Sequence, residues 1–388
     1  MRPSSSAREA IALLALAAFS SGISLRCVEP MLPQLARDFD ASVSAVAVIV
    51  TSFALSYAGA VLLQGPLGDR YGKLRVVTLG TGLAGLAALG CAAAWDVTSL
   101  AAARFLMAIF ASAPVALGMA YIGDVVPIAE RQTTIARFIA GSIFGQTLGP
   151  LFGGVFTDWA GWRSSFAALG AVFLVVSVVM YARTRQEWPP TGPGRFAPLA
   201  IHAGLLARPA VRWLMAIGVA ETFFFFGAYV FLGAFLRERY ELSFTLIGVI
   251  LAGYGVGGLL YSALVRTLLP LGERLLPVAG GLLGLACFAA IVLASDWEIA
   301  VPSAIGLGFA FYLIHNTVQT KATEVAPDSR GSALALYASA WAIGQASGVA
   351  AMGVVVAYTG YATGILGAAL GFALLGLWLR YNLHRLHS

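Results

Sequence analysis

The chain has 388 residues, of which 59% are hydrophobic and only 11% are charged. Soluble domains carry about 25% charged residues, so this composition lacks the polar surface that a water-soluble fold of this length needs. The net charge of +6 does not indicate nucleic-acid binding, because Lys and Arg lie between apolar runs and not in one basic patch. The composition therefore excludes a soluble domain and predicts a multi-pass membrane protein.

Apolar segments long enough to cross a bilayer recur along the whole chain, given that a core of about 30 Å needs about 20 residues per helix. The twelve predicted spans are 9–33, 43–64, 74–94, 99–121, 133–156, 164–183, 211–235, 244–266, 275–295, 299–320, 331–357 and 361–380. The first follows a short polar segment without a small-residue cleavage pattern, so we expect a retained helix and not a signal peptide. The cysteines lie inside apolar runs without metal-ligand spacing, and neither a disulfide nor a metal site is predicted.

One long polar stretch divides the spans six and six. Residues 184–210 include Trp188-Pro189-Pro190 and Thr191-Gly192-Pro193-Gly194, and such a density of Pro and Gly is typical of a linker. We therefore predict an all-α membrane protein of 12 transmembrane helices in two pseudo-symmetric six-helix bundles. The bundles are residues 1–183 and 211–388, joined by a cytoplasmic linker.

The basic residues predict the orientation of the helices. With the N-terminus inside, eighteen Lys and Arg residues lie on the cytoplasmic side and only four on the opposite side. Cytoplasmic loops carry the excess of Lys and Arg in membrane proteins. We therefore expect both termini to be cytoplasmic. We also expect the protein to be a monomer in a bacterial-type inner membrane.

The two halves of the sequence repeat. The segment Gly145-Gln146-Thr147-Leu148-Gly149 recurs 199 residues later as Gly344-Gln345-Ala346-Ser347-Gly348. The same spacing relates Gly154 to Gly353 and Arg131 to Arg330. Several matches at one spacing indicate an internal duplication.

The loop after the second span carries the most specific motif. It reads Gly65-Pro66-Leu67-Gly68-Asp69-Arg70-Tyr71-Gly72-Lys73-Leu74-Arg75. This resembles the G-x-L-x-D-R-x-G-[RK] signature of the major facilitator superfamily, and with the six-plus-six layout the resemblance covers essentially the whole chain. It implies transport by alternating access, with this loop as a latch that holds the outward-open state. By this resemblance, the latch residues in this sequence are Gly65, Asp69, Arg70, Gly72 and Lys73. Asp69 would meet the start of a helix in the second half, near Arg330. The alternative is a basic loop that only fixes topology.

The fifth span carries a second motif, in which glycines repeat along one helix face and permit close contact with a neighbour. Its residues are Gly141, Gly145, Gly149, Pro150, Gly153 and Gly154. The run resembles the G-x-x-x-G-P-x-x-G-G motif of the family's antiporter branch, which implies export. The alternative is ordinary tight packing.

Two further segments resemble proton-coupled drug exporters of that family, each with a departure. Arg104-Phe105-Leu106-Met107-Ala108 is similar to an R-F-x-x-G segment whose Arg takes part in proton transfer, but Ala108 replaces the Gly. Arg26-Cys27-Val28-Glu29-Pro30 occupies the place of the first-helix motif. The branch more often has an acid at the position of Arg26, so this departure does not favour the simple export of cations.

Ionisable residues at membrane depth cost about 2.5–3.5 kcal/mol each and are candidates for function. They are Arg26, Glu29, Arg104, Glu221 and His315. Arg26 and Glu29 are three residues apart on one helix face, so they form a structural ion pair or a proton-coupling site. Glu221 has no cation nearby in sequence. It is either a proton or substrate site, or a carboxyl neutralised from another helix, for example by Arg104.

Several polar and aromatic residues are candidates for a substrate cavity. Gln146 and Gln345, related by the repeat, either face each other across a central cavity or form interhelical hydrogen bonds. His315 and Asn316 either line the cavity or are packing residues. In the aromatic run of the seventh span, Phe225 and Tyr229 are candidates for an aromatic wall near Glu221.

These observations predict a transporter and not an enzyme, since the sequence has no H-E-x-x-H, no G-x-S-x-G and no P-loop lysine. We expect proton-coupled efflux of a small amphipathic organic compound, with the lipid bilayer as the other partner. The proton gradient is the energy source, and no cofactor is implied. The alternatives are an uptake symporter or facilitator for a small metabolite, and a non-transporting receptor of the same fold.

Overall fold

The structure is a computed structural model that describes residues 5–188, 198–326 and 330–386. All regular elements in these ranges are helical. The α-helices are α1 Ser5–Arg26, α2 Leu32–Asp38, α3 Val43–Val46, α4 Val48–Tyr71, α5 Lys73–Ala92, α6 Val97–Ala111, α7 Ala113–Val125, α8 Ile128–Ala160, α9 Trp162–Thr184, α10 Pro198–Leu206, α11 Pro209–Tyr240, α12 Phe244–Leu268, α13 Leu275–Leu293, α14 Ala300–Glu324 and α15 Arg330–Asn382.

Within the described residues, eleven helical segments are long and apolar enough to cross a membrane. The last, Gly331–Asn382, has 52 residues and would extend about 78 Å at 1.5 Å per residue, more than twice the thickness of a bilayer core. Gly360 interrupts it with φ 81° and ψ 170°, and a Cβ at Gly364 would approach the Met352 sulfur to 2.7 Å. The chain therefore turns back at Gly360, and this segment holds the last two predicted spans. The predicted all-α membrane fold is confirmed.

The first crossing corrects the prediction of one continuous helix over 9–33. Helix α1 ends at Arg26, a 3-10 turn follows at Glu29–Met31, and α2 begins at Leu32. Pro30 and Pro33 have no amide hydrogen, so the helical ladder is interrupted at this point. Arg26 and Glu29 thus lie on either side of a break deep inside the protein.

Two other segments differ from the predicted elements. The fourth crossing is divided at Ser112, because Pro114 cannot donate to the carbonyl one turn earlier. The predicted linker contains a short helix, α10, and α11 begins at Pro209, two residues earlier than expected. Residues 189–197 of this linker lie outside the described ranges, and the division into two domains stays a prediction.

Positive backbone φ angles occur in pairs that follow the sequence repeat. Among the described residues these angles are found at six positions, which form three pairs 199 to 201 residues apart. The pairs are Asp40 (48°) with Glu241 (54°), Gly72 (91°) with Gly272 (83°), and Gly161 (79°) with Gly360 (81°). Each pair ends equivalent helices in the two halves, as an internal duplication predicts.

Glycines set the closest helix contacts in the same way in both halves. Helix α8 packs on α1, where a Cβ at Gly145 would lie 2.1 Å from the Phe19 carbonyl oxygen. Helix α15 packs on α11, where a Cβ at Gly344 would lie 2.3 Å from the Val219 carbonyl oxygen. Helix α8 also contacts α12 and α4 contacts α15, so these four helices form the interface between the two halves of the chain.

Candidate transport and coupling sites

Charged side chains lie buried inside the bundle. Arg26, Glu29, Arg104 and Glu221 are each no more than 1% exposed, and Lys321 is 3% exposed. The sequence analysis named the first four as candidates for function. It counted Lys321 only among the basic residues that predict the cytoplasmic side. Lys321 forms ion pairs with Glu273 at 2.9 Å and Glu324 at 3.1 Å, so its charge is locally compensated.

Glu221, His315 and Tyr337 form a hydrogen-bonded triad that joins α11, α14 and α15. His315 Nδ1 lies 2.9 Å from Glu221 Oε1, and the Tyr337 hydroxyl donates to Glu221 Oε2 at 3.1 Å. The hydroxyl also lies 3.2 Å from His315 Nδ1. The partner of Glu221 is therefore His315, and not Arg104 as the sequence suggested. The triad therefore brings three side chains that can carry protons within hydrogen-bond distance of one another.

Tyr337 is a member of the triad that the sequence analysis missed. Its ring packs on Gly218, where a Cβ would lie 2.9 Å from the ring. The residue 199 positions earlier is Phe138, whose ring packs on Gly118 of α7, a helix that is not the repeat counterpart of α11. At the two positions related by the repeat, the first half has Phe138 and the second half has Tyr337 with its hydroxyl, and this difference is the signal that could have found Tyr337.

Arg26 and Glu29 form a second centre at the break after α1. Arg26 Nη1 donates to Glu29 Oε1 at 2.8 Å. The guanidinium group lies 4.0 Å from the ring centroid of Phe226 and within 6 Å of Tyr254 and Trp341. These three aromatic residues belong to the other half of the chain. The ion pair therefore lies where the two halves meet.

Arg104 lies beside the same break and is fully buried. Its Nη1 donates to the Ser24 carbonyl oxygen at 2.7 Å, and its guanidinium group lies 4.0 Å above the ring of Phe53. The carbonyl end of a helix carries partial negative charge, so a cation is favoured there. Arg104 thus stabilises the end of α1, two residues before Arg26.

The aromatic residues of α11 have different environments. Phe225 and Tyr229, the two candidates for a cavity wall, are at most 1% exposed and pack inside the second half of the chain. The Tyr229 hydroxyl donates to the Leu251 carbonyl oxygen at 2.6 Å. Phe226 contacts both Arg26 and Phe311, and Phe311 stacks on His315 with ring centroids 5.0 Å apart. Aromatic rings therefore link the Arg26 centre to the triad.

The remaining cavity candidates differ in burial. Gln345 is buried, and its Oε1 has no hydrogen-bond partner among the described residues. Gln146 and Asn316 are half-buried. In the described part of the chain, the two glutamines do not hydrogen-bond to each other. Their predicted pairing across a cavity stays a prediction.

The glycine motif of α8 lies against both halves. A Cβ at Gly149 would meet the Arg26 side chain at 2.8 Å, and one at Gly153 would lie 1.9 Å from the Cys27 carbonyl oxygen. A Cβ at Gly154 would lie 2.1 Å from the Phe244 carbonyl oxygen in the second half. Gly141 is less tightly packed, and the Pro150 carbonyl approaches α12. The motif thus places α8 against the Arg26 centre and against the opposite half.

Among the described residues, the side chains of the predicted latch residues Asp69, Arg70 and Lys73 interact with their own half. Asp69 has a 71% exposed side chain 3.8 Å from Lys73, which also pairs with Asp124 of the first half. Gly72 supplies the turn with its positive φ, Gly65 has no close neighbour, and Arg70 lies over the adjacent ring of Tyr71. The side chain of Arg330 lies outside the described residues. We call this side of the bundle the Asp69 end.

At the opposite end, Asp158 joins the two halves. Its carboxylate accepts hydrogen bonds from the backbone N–H groups of Phe244, at 3.2 Å, and Thr245, at 2.6 Å. These are the first residues of α12, where the helix dipole favours an anion. The halves are therefore held together at this side, which we call the Asp158 end.

A cleft of about 820 Å³ opens between the halves at the Asp158 end. Its charged lining residues are Arg37, Asp40, Arg237, Glu238 and Glu241. Pro33 and Ala234 also line it. Pro33 follows Glu29 by one turn, and Ala234 adjoins Gly233, which packs against the Glu29 carbonyl. The cleft therefore ends close to the Arg26–Glu29 pair.

Comparison with known proteins gives a family match over most of the chain. Residues 14–349 match the Major Facilitator Superfamily. The chain is 23% identical over 296 residues to the efflux pump radE of Floropilus chiversii, which covers 69% of this chain and 54% of radE. It is 26% identical over 374 residues to an uncharacterized MFS-type transporter, YwfA of Bacillus subtilis, which covers 93% of this chain and 90% of YwfA. The chain thus spans about half of radE but nearly all of YwfA.

A solved structure has the same fold. It is a bacterial homologue of the human lysosomal transporter Spinster in an inward-facing and unoccupied conformation. The TM-score is 0.74, the sequence identity is 18%, and the match covers 99% of this chain and 97% of that one.

Proposed function

This chain belongs to the Major Facilitator Superfamily, a family of membrane transporters, and we propose that it exports a small amphipathic organic compound in exchange for protons. The observation that carries the proposal is the buried Glu221–His315–Tyr337 triad. Such groups are expensive inside a bilayer, so each needs a partner or a function.

The triad has the properties of a proton site. Glu221 is fully buried, while the His315 side chain is 14% exposed. An isolated carboxylate would be unstable here, but the hydrogen bonds with His315 and Tyr337 compensate for its burial. Thr222, next to Glu221, donates to the Trp341 carbonyl at 2.8 Å and ties α11 to α15 beside the triad. Protonation therefore acts where these two helices pack.

Glu29 is the second proposed proton site, with Arg26 and Arg104 as the cations beside it. It lies between the halves and close to the cleft at the Asp158 end. A proton that arrives through this cleft weakens the Arg26–Glu29 ion pair, because a neutral carboxyl attracts the guanidinium less. Proton binding at Glu29 is thus linked to the interface that rearranges in alternating access.

Export is favoured over uptake by the glycine motif of α8, which resembles that of antiporters. It sits against the Arg26 centre and the opposite half. The efflux pump radE is among the relatives. We propose that the protein lies in a bacterial inner membrane and consists of two six-helix domains. Both termini are cytoplasmic in this proposal, so the Asp69 end faces the cytoplasm. The cavity residues Gln146, Gln345, His315 and Asn316 keep their proposed role in substrate contact.

The proposal is tested in everted membrane vesicles acidified by respiration. The compounds added are those to which a strain lacking this protein becomes sensitive in a drug and metabolite panel. An exporter that exchanges them for protons makes the vesicle lumen more alkaline. Vesicles with Glu221→Gln should lose this response, and Glu298→Gln, a change at an exposed acid, should keep it.

The alternative functions give different outcomes. An uptake symporter carries the compound and the proton in one direction, so the lumen does not become alkaline when the compound enters. A receptor of this fold binds the compound but leaves both lumen pH and compound concentration unchanged. Either result would contradict proton-coupled export.

A further inference from the structure

The buried charges at the break after α1 do not balance. Two cations, Arg26 and Arg104, lie there with one anion, Glu29, and all three are at most 1% exposed. Glu29 interacts electrostatically with both guanidinium groups. The remaining buried acid, Glu221, is already paired with His315 in the other half. One buried positive charge is therefore left without a counter-ion among the described residues.

The same two arginines have hydrogen-bond donors without acceptors. Arg26 Nε, Arg26 Nη2 and Arg104 Nε are buried and have no partner in the described part of the chain. Glu29 has one unpaired oxygen, Oε2, against these three nitrogen atoms. An unsatisfied buried donor costs about 1–3 kcal/mol, and more when it is charged. An additional acceptor with negative charge would correct both the charge and the hydrogen bonding.

Aromatic rings of the other half lie against this centre. The Arg26 guanidinium lies 4.0 Å from the Phe226 ring centroid and 5.8 Å from that of Trp341. Trp341 is half-buried, so part of its surface is free to contact a ligand. A planar anionic group binds a guanidinium in two places at once, and an adjoining apolar group packs on aromatic surface.

We propose that Arg26 and Arg104 form the anion-binding part of the substrate site, which takes the carboxylate of an amphipathic organic acid. The carboxylate accepts hydrogen bonds from the nitrogen atoms that Glu29 leaves unpaired, Arg26 Nε and Nη2 and Arg104 Nε, and the apolar body of the acid lies against Phe226 and Trp341. This inference rests on the proposed transport function and names its substrate class: organic anions in place of lipophilic cations.

Equilibrium binding to the full chain in lipid nanodiscs tests this assignment. The probes are 2-naphthoate, its neutral amide 2-naphthamide, and the cation 2-naphthylmethylammonium, measured by titration calorimetry. We expect 2-naphthoate to bind at least about tenfold more tightly than the amide, which corresponds to one charge-assisted pair of about 1.4 kcal/mol. No proton gradient is present, so this result is separate from the test of proton coupling.

Variants locate the binding. Arg26→Gln and Arg104→Gln should each abolish the preference for 2-naphthoate over the amide. Glu29→Gln should strengthen 2-naphthoate binding severalfold, because it removes a neighbouring like charge, and this gain cannot come from misfolding. Arg185→Gln, at an exposed arginine, should bind as the unmodified protein does. Equal binding of acid and amide, absence of binding by both, or tighter binding of the cation would overturn the assignment.

Discussion

The Asp158 carboxylate of one half accepts a hydrogen bond from the backbone nitrogen of Thr245 in the other half, at 2.6 Å. Ser243 caps the same helix through its own hydroxyl, so two side chains share the exposed N–H groups at the start of α12. The proposed latch residue Asp69, at the opposite end, pairs among the described residues with Lys73 of its own half. A carboxylate therefore joins the halves at one end, while the carboxylate at the other end lies beside a lysine of the same half.

Asp158→Asn should open the Asp158 end. Loss of a charged acceptor at a helix N-terminus removes about 1.5 kcal/mol, which changes the ratio of open to closed states about tenfold. Spin labels at positions 95 and 293, exposed sites in the two halves at this end, report the separation. Glu298→Gln, at an exposed acid of the same end, is the control. An unchanged distance distribution in Asp158→Asn would show that this contact does not hold the end closed.

Gly153→Ala should destabilise the protein. The added Cβ would lie 1.9 Å from the Cys27 carbonyl oxygen, so α8 and the break after α1 must separate. Overpacking of this kind costs about 1–3 kcal/mol, and the thermal unfolding temperature in detergent should fall. Gly59→Ala is the matched control, because no atom lies within 4 Å of its Cβ position. Equal unfolding temperatures for the two variants would contradict the close contact.

Tyr337→Phe should leave the fold intact and slow proton-driven transport about tenfold. The ring still packs on Gly218, but the hydrogen bond to Glu221 is lost. A hydrogen bond to a charged group contributes about 1.5–3 kcal/mol. Transport is measured as flux into proteoliposomes under an imposed pH gradient, beside Tyr358→Phe at an exposed tyrosine. Equal rates in the two variants would remove the hydroxyl from the mechanism.

Asp69→Asn should slow transport and leave the free energy of unfolding nearly unchanged. Its side chain is 71% exposed here, so the free energy of unfolding should change by no more than about 0.5 kcal/mol. Transport should nevertheless slow, because the proposed latch role of Asp69 requires a contact in the opposite state of the cycle. Glu187→Gln, an exposed acid at the same end, is the comparison. A variant that loses stability but transports at the normal rate would contradict a latch.

The sequence predicts those parts of the structure that depend on local spacing. Arg26 and Glu29 are three residues apart, and their pairing follows from that distance along the chain. The repeat predicts that equivalent turns recur, and Gly161 and Gly360 indeed have nearly equal φ angles. Apolar length predicts the crossings, although the prolines after Arg26 break the first helix where a hydropathy pattern shows none.

Contacts between distant helices were not predictable from the same patterns. Glu221 and His315 are 94 residues apart, and nothing in their local sequence indicates that their side chains meet. In the sequence, Asp158 is an isolated acid at the end of a predicted span. Its partners are backbone N–H groups, which have no sequence signature. Such sites depend on how the helices pack across the interface.

The most direct test of the account is proton movement coupled to substrate in proteoliposomes that contain purified protein and a pH-sensitive dye. The substrate is a compound identified by the sensitivity panel, applied as a concentration gradient without an initial pH difference. We predict that the unmodified protein moves protons against the direction of the compound, while Glu221→Gln moves the compound without a change in lumen pH. Full proton movement by Glu221→Gln would contradict the central claim that the Glu221–His315–Tyr337 triad carries the coupled proton.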